Sequence, residues 1–355
     1  MIFRQLFDYS SNTFTYILGD VHSKKAIIID PVFEQFKRDF ALLSELELEL
    51  THVLDTHCHA DHVTSAWLFK QATECIYGLS GIYKADGVDL NLTDGLSIPL
   101  GSAELQVLAT PGHTDGCVSF VSHDIKAIFT GDSLMIRGTG RTDFQSGSAS
   151  ILYRSIKDKI FALPDDYDVF PGHDYKGRCR SSIGEEKSFN PRIGGQANEN
   201  DFTIFLDNLN LPHPKKIAEA LPTNLKGGKP IKAQNVESGP EWAPITYGFD
   251  GTAQVDCQWL MENSDKVTIL DVRQRDEYLN EPGYIDSSIN VPLGELKSSL
   301  SDFDPSKPIV AVCRSGRRSA HAVKILNERP ELSSANLNTG ILGWENLGFP
   351  LVTRE

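Results

Sequence analysis

The sequence predicts a mixed α/β chain of two domains, a two-sheet core followed by a smaller α/β domain with a parallel sheet. Three observations carry this. The 355 residues exceed one typical domain and suit two. In the first part, residues of metal-ligand type recur where strands end. In roughly the last hundred residues, short β-rich runs alternate with helical segments.

Phe14 to Asp20 alternates like a strand, and Lys25 to Asp30 reads as a buried strand stopped by Pro31. Between Glu34 and Glu47, the spacing of Phe36, Phe40, Leu43 and Leu46 gives an apolar helical face. Thr51 to Asp55 is a short buried strand that runs into Thr56-His57-Cys58-His59-Ala60-Asp61-His62, with a helix near Ser65 to Thr73 after it. Leu105 to Ala109 leads into Thr110-Pro111-Gly112-His113. Val118 to Val121 and Ala127 to Thr130 form a hairpin that ends at Gly131-Asp132. A helix is expected around Ile151 to Phe161, and Tyr167 to Phe170 runs into Pro171-Gly172-His173. Ligand types at successive strand ends build a site along one sheet edge, where loops carry chemistry on a rigid scaffold.

The segments Leu225 to Pro230 and Ser238 to Pro244 are rich in turn formers and read as a linker. The expected division is a first domain over residues 1–228, a linker over 229–244 and a second domain over 245–355. Val267 to Arg273 and Ile309 to Val312 are the β-rich runs of the second part, with a helix near Ser319 to Asn327.

The net charge of −14 argues against nucleic acid or an anionic membrane as a main partner, so an anionic substrate must meet local positive charge. No stretch approaches the ~18 apolar residues of a membrane span, and no signal peptide is visible. The six cysteines are scattered without a CxxC pair and read as free thiols of a reducing, cytoplasmic setting. Except for Cys313, they are expected to be small buried residues, Cys58 included. On an extended chain Cys58 points away from the side shared by His57 and His59.

His57, His59, Asp61 and His62 lie within six positions, and neutral imidazoles with carboxylates suit zinc, iron or manganese. A polar loop capping a helix is the alternative, but crowded histidines gain little unless something binds them. Taken singly, His113, His173 and Asp132 are ordinary turn residues. In this order, HxHxDH followed by His113, Asp132 and His173 resembles the metallo-β-lactamase superfamily. The resemblance covers roughly the first 230 residues and implies a four-layer αββα fold with a metal at the sheet edge. The stretch Leu134 to Gln145, with Arg137-Gly138-Thr139-Gly140-Arg141-Thr142-Asp143-Phe144, resembles the persulfide dioxygenase branch.

That resemblance implies one Fe(II) held by His57, His113 and Asp132, a two-histidine, one-carboxylate face with open positions for O2 and substrate. His59, Asp61, His62 and His173 become supporting residues that orient the ligands. Tyr175 is expected beside the open positions. Arg137 is a candidate anchor for a carboxylate of glutathione, its plain alternative being a surface arginine. The rival is a binuclear thioester hydrolase of the glyoxalase II kind, which would place nearly the same residues on two metals.

Val310-Ala311-Val312-Cys313-Arg314-Ser315-Gly316-Arg317-Arg318-Ser319 reads as strand, tight loop and helix. Loop N–H groups, the helix dipole and the charges of Arg314, Arg317 and Arg318 should lower the pKa of Cys313 and hold it as a thiolate. Such a thiolate can attack a sulfane sulfur and hold the resulting persulfide. With Asp271-Val272-Arg273, Glu277-Tyr278, Gly283-Tyr284-Ile285, Ser288 to Pro292, Trp344 and Leu347 to Pro350, the segment resembles the rhodanese family. Arg318, five residues after Cys313, marks the short sulfurtransferase loop. The related phosphatases carry one more residue, and a phosphatase is the alternative for this domain. Arg314 and Arg318 are expected to assist catalysis, and Arg317 to bind substrate.

The two resemblances imply a persulfide dioxygenase–rhodanese fusion. Glutathione persulfide, O2 and water would give sulfite and glutathione at the iron. Cys313 would move sulfur between thiosulfate and glutathione. Linkage raises local concentration, because each domain's product is the other's substrate. A sulfur-carrier module and a degenerate metal scaffold are the non-enzymatic alternatives. A homo-oligomer stays open.

Overall fold

The computed structural model describes residues 1–209, 211–212, 214, 216–230, 242–280 and 282–353. The chain divides into two compact units, Met1–Phe36 with Leu43–Lys232, and Lys37–Leu42 with Ala233–Glu355.

The first unit contains two six-stranded sheets. One runs in sequence order through β1 (Ile2–Asp8), β2 (Thr13–Gly19), β3 (Lys25–Ile29), β4 (Glu49–Leu54), β5 (Ile76–Leu79) and β6 (Leu90–Asn91). The other holds β7 (Ser97–Leu100), β8 (Ala103–Ala109), β9 (Val118–Ser122), β10 (Ala127–Gly131), β11 (Asp168–Pro171) and β12 (Ser181–Ser182) as neighbours in order. Period-2 alternation puts Phe14, Tyr16 and Leu18 of β2 and Ile27 and Ile29 of β3 on one face. They pack against Leu105, Val107, Phe120 and Phe129 of the second sheet, and this dry interior joins the two sheets. The outer face of the second sheet, through Val121, Ile128 and Val169, packs on Leu152, Ile156, Phe202 and Leu206.

α1 (Phe36–Glu45) contains residues of both units, and the other helices of this unit are α2 (Ala66–Ala72), α3 (Ala149–Arg154), α4 (Ile183–Phe189), α5 (Glu199–Asp207) and α6 (Ile217–Asn224). The helix expected at Ile151 to Phe161 begins at Ala149, because Ser148 caps it by accepting from the Ile151 N–H. It continues as a π-helical turn, Ser155–Ile160, in which the Ser155 hydroxyl donates to the Pro111 carbonyl at 2.7 Å. The turn-rich stretch from Leu225 to Lys229, expected as linker, is packed onto the first unit: a Cβ on Gly228 would lie 2.2 Å from the Thr64 carbonyl oxygen. Of the remaining linker expectation, residues 231–241 lie outside the described residues.

The second unit is built on a sheet ordered β13 (Thr246–Tyr247), β14 (Ala253–Val255), β18 (Ser334–Leu337), β17 (Ile309–Val312), β15 (Thr268–Asp271) and β16 (Ile289–Asn290). Its pairings are parallel except β13 with β14. The helices α7 (Cys257–Asn263), α8 (Arg275–Leu279), α9 (Leu293–Leu296), α10 (Arg317–Leu326) and α11 (Gly340–Asn346) connect the strands. Two apolar clusters, around Val310, Ile341 and Trp344 and around Ala311, Ala322 and Leu326, cover the sheet on both faces. Asp271 and Arg273 are buried together at 2.7 Å, and Arg273 also donates to the Gly283 carbonyl. Among the described residues no helix is long and apolar enough to cross a membrane.

Candidate functional site

In the first unit the chemistry gathers where β4, β8, β10 and β11 end. His57, His113 and Asp132 each offer a ligand atom within 4.8 Å of the others, and all three are buried. The hydrogen bonds fix which atoms those are. The Thr56 hydroxyl donates to Asp30 at 2.9 Å, so it accepts from His57 Nδ1 at 3.0 Å and leaves His57 Nε2 bare. His113 Nδ1 donates to the Arg141 carbonyl at 2.7 Å, which leaves Nε2 bare, 3.6 Å from Asp132 Oδ2. Asp132 accepts from His173 Nδ1 through its other oxygen, Oδ1, at 2.6 Å. Two imidazole nitrogens and one carboxylate oxygen therefore face one point, each oriented from behind.

The charge states agree with that arrangement. Burial, with His59 and His113 nearby, holds the His57 imidazole well below its ordinary pKa, so it is neutral and able to ligate. Burial alone would raise the Asp132 carboxyl, but His173, His113 and His57 hold it below the ordinary carboxylate range. His173 lies between two carboxylates, with Nε2 2.9 Å from Asp61 Oδ2. Against the pull of burial, Asp132 and Asp61 push its pKa well above the ordinary value, so both ring nitrogens carry protons.

The other histidines of the motif are held differently. His59 Nε2 lies 3.1 Å from Asp30 Oδ1, and Asp30 outweighs burial to push the His59 pKa up to about 9. His62 Nδ1 lies 3.0 Å from Asp61 Oδ2. His59, Asp61 and His62 form a second group of donor atoms within 4.8 Å, and His59 Nδ1 and His62 Nε2 have no hydrogen-bond partner among the described residues. Cys58 is buried and its thiol is pushed up to about 12, chiefly by burial, which gives it the packing character expected of it.

A cavity of about 870 Å³ opens over His57, His113, Asp132 and His173. Tyr175 lies at its rim, 67% exposed, its ring parallel to that of His173 at 6.1 Å. Arg137 lines it too, but its guanidinium binds the carboxylate of the fully buried Glu186, with Glu185 at 3.4 Å and the Ser181 hydroxyl at 3.2 Å. Its charge is thus shared with a buried carboxylate. Lys176 and Arg192 line the same cavity with no carboxylate partner among the described residues, and Arg192 donates to the Thr139 carbonyl at 2.7 Å.

Three positioning residues were not anticipated from the sequence. Arg141 supplies the carbonyl that orients His113, while its guanidinium chelates Asp143 and donates to the Leu211 and Pro212 carbonyls at 2.8 and 2.6 Å. Its place in the quoted loop was the available signal. Asp30 accepts from the Thr56 N–H at 2.7 Å and holds His59. Asn224, at the end of α6, donates to the carbonyls of His59 and His62, each at 2.9 Å, and accepts from the Thr64 N–H. It lies 162 positions from His62, and no local pattern marks it. Gly140 fits where it does because a Cβ there would lie 2.3 Å from the Asp132 carbonyl oxygen.

In the second unit Cys313 directly follows β17 and is buried. The N–H groups of Ile341 and Leu342 in α11 bond the carbonyls of Cys313 and Arg314 at 2.9 and 3.0 Å. With those carbonyls turned to α11, the Ser319 hydroxyl donates to the Cys313 sulfur at 3.2 Å. Burial works against the thiolate, but the Ser319 hydroxyl and the nearby backbone N–H groups of Ser319, Ser315 and Arg318 outweigh it and bring the Cys313 pKa below its ordinary value of 9.0. The Arg318 guanidinium is paired in bidentate fashion with Glu277 at 2.6 and 2.8 Å, while Arg314 and Arg317 are exposed at the loop rim. Gly340 sits in the left-handed region at φ 60°, where a Cβ would lie 2.2 Å from the Cys313 carbonyl oxygen. Of the cysteines expected to be buried, Cys179 is exposed and departs from that reading.

Residues 10–82 and 76–173 match the metallo-beta-lactamase superfamily, and residues 256–347 match the rhodanese-like domain. The chain is 45% identical over 228 residues to the mitochondrial persulfide dioxygenase ETHE1 of Homo sapiens, across 64% of this chain and 89% of that one. The crystal structure of ETHE1 from Myxococcus xanthus is 48% identical and superimposes with a TM-score of 0.62, covering 64% of this chain and all (100%) of that one. A metallo-beta-lactamase structure from Staphylococcus aureus covers 95% of this chain and 99% of its own, at 21% identity and a TM-score of 0.60, a likeness of fold alone.

Two outcomes follow from the geometry. Asn224→Ala frees the carbonyls of His59 and His62, and metal retained after dialysis against a graded chelator should fall about 10–100-fold in affinity. Retention equal to wild type would show that Asn224 does not hold the motif. Alkylation of Cys313 by iodoacetamide, followed peptide by peptide, should reach half its maximal rate below pH 9.0, since the thiolate forms as pH rises through a lowered pKa. Cys117, pushed up to about 12 mainly by burial, should stay unreactive there. A Cys313 midpoint at or above the ordinary thiol value would contradict the donor geometry.

Proposed function

The chain belongs to the ETHE1 persulfide dioxygenase family of the metallo-β-lactamase superfamily and carries a rhodanese-like domain, and on that premise we propose that it is an iron persulfide dioxygenase with sulfurtransferase activity. The first unit oxidises glutathione persulfide with O2 and water to sulfite and glutathione. The second transfers sulfur between thiosulfate and glutathione through a persulfide on Cys313. The observation that carries the first half is the convergence of bare His57 Nε2, His113 Nε2 and Asp132 Oδ2 under a cavity also lined by Lys176 and Arg192, which have no carboxylate partner among the described residues.

That donor set fits Fe(II), which would supply the redox chemistry that lets O2 react with a thiol-level sulfur. The chain's own residues do the rest. His57, His113 and Asp132 hold the ion, each fixed in tautomer or orientation by Thr56, the Arg141 carbonyl and His173. In a chain of net charge −14, Lys176 and Arg192 give the glutathione carboxylates cations that no carboxylate claims among the described residues. Tyr175, stacked on His173 at the rim, lies against the persulfide end of the substrate. Phe144 stands edge-on to His113 at 5.7 Å and excludes water from that side. In the second unit Cys313 is the nucleophile, backbone N–H groups hold its charge, and Arg314 and Arg317 draw anionic donors to the loop. Arg318, bound to Glu277, fixes the first turn of α10.

One observation favours a second reading, a binuclear thioester hydrolase. His59 Nδ1 and His62 Nε2 are buried beside Asp61 without partners among the described residues, as a second metal would require. Against it stands His173, both of whose nitrogens are committed to carboxylates.

The test uses the full chain and two variants. Asp132→Ala should lose O2 uptake on glutathione persulfide by at least about 100-fold and keep thiosulfate:glutathione sulfur transfer. Cys313→Ser should do the reverse. Sulfur transfer that survives Cys313→Ser, or O2 uptake that survives Asp132→Ala, would overturn the assignment of that unit.

A further inference from the structure

We propose that the Ser319 hydroxyl is the donor that carries Cys313 Sγ through its departure, stabilising it as the leaving thiolate when an acceptor thiol removes the terminal sulfur. The proposal rests on the reading of this loop as a sulfur-transfer site and adds a residue to it.

The donors around Cys313 Sγ differ in kind. Ser315 is exposed and Arg318 half-buried, and both favour the thiolate through backbone N–H groups rather than side chains. Ser319 is fully buried in the first turn of α10, and its side chain points at Sγ from 3.2 Å. Serine is a mediocre helix former whose hydroxyl competes for backbone groups, so a buried one inside a helix is there for its bond. A thiolate only accepts, so the Ser319 O–H donates.

Two steps use this sulfur. In loading, Cys313 Sγ attacks the outer sulfur of thiosulfate; the Sγ–S bond forms, the S–S bond to the sulfonate sulfur breaks, and its electron pair leaves with sulfite. In discharge, a glutathione thiolate attacks the outer sulfur of the Cys313 persulfide. The new S–S bond forms, the Sγ–S bond breaks, its pair returns to Sγ, and any proton on the transferred sulfur travels with it. No external oxidant enters either step.

A hydrogen bond to the thiolate acts oppositely on the two. It lowers the charge density of the attacking sulfur, and attack rates follow thiol basicity with an exponent of about 0.4–0.5. It stabilises the same atom as a leaving group, so it speeds discharge. Removing a bond to a charged group shifts a pKa by roughly one unit. Ser319→Ala should therefore leave loading by the ionised thiol intact or up to about threefold faster, and slow discharge about fivefold. A structural role for Ser319 would slow both.

The experiment loads the full-length protein with thiosulfate and counts persulfide on the Cys313 peptide by mass spectrometry. It then follows loss of that sulfur on adding glutathione, at a pH where each thiol is ionised. Wild type, Ser319→Ala and Ser319→Thr are compared. The expected result is full loading in all three, about fivefold slower discharge in Ser319→Ala, and recovery in Ser319→Thr, which keeps the hydroxyl. Wild-type discharge from fully loaded Ser319→Ala would overturn the proposal. So would Ser319→Ala that cannot load, or equal slowing in Ser319→Ala and Ser319→Thr. A wild-type protein that places no sulfur on Cys313 would instead overturn the sulfur-transfer reading itself, and the proposal with it.

Discussion

The organisation of the first unit depends on the pair of hydrogen bonds that hold a protonated His173 between Asp132 and Asp61. A cation between two anions is stable in a buried site only if each partner is satisfied, and these are. The consequence is directional. One oxygen of Asp132 is bound to His173, so the other is turned toward His57 and His113. The same contact ties β11, which delivers His173, to β10, which delivers Asp132. Breaking it would leave a buried carboxylate without its counter-charge and release the ligand's orientation.

A comparable device shapes the second unit, built from backbone and one hydroxyl. The first turn of α11 takes the carbonyls of Cys313 and Arg314, and the Ser319 hydroxyl donates to the Cys313 sulfur. The anion-binding character of the loop is thus fixed from outside by a neighbouring helix, and the arginines that dominate its sequence play supporting parts. Both units hold a reactive centre by committing one side of each group to a buried partner and leaving the other side open.

The two-sheet order and the ligand clusters were legible because strand alternation and metal-ligand spacing are local signals. His57, His113 and Asp132 each follow a strand, and the strands brought them together. The tautomers of the histidines were not legible, because Arg141, Thr56 and Asp30 set them through contacts that no motif encodes. Asn224 was hidden for the same reason, since its partners His59 and His62 lie far away in the chain. Arg137 shows the converse. Its position in the loop suggested substrate, but Glu186, from a helix 49 positions on, takes its charge. The turn-rich run at Leu225 to Lys229 looked like linker from composition alone, and its packing on Thr64 depends on a fold that composition cannot show.

The central claim is that one face of the first unit's donor cluster, not two, holds a metal. Its most direct test is the metal content of protein purified anaerobically, measured with O2 consumption on glutathione persulfide. The account predicts about one iron per chain and O2 uptake in step with iron. Two metals per chain with thioester hydrolysis and no O2 uptake would contradict it.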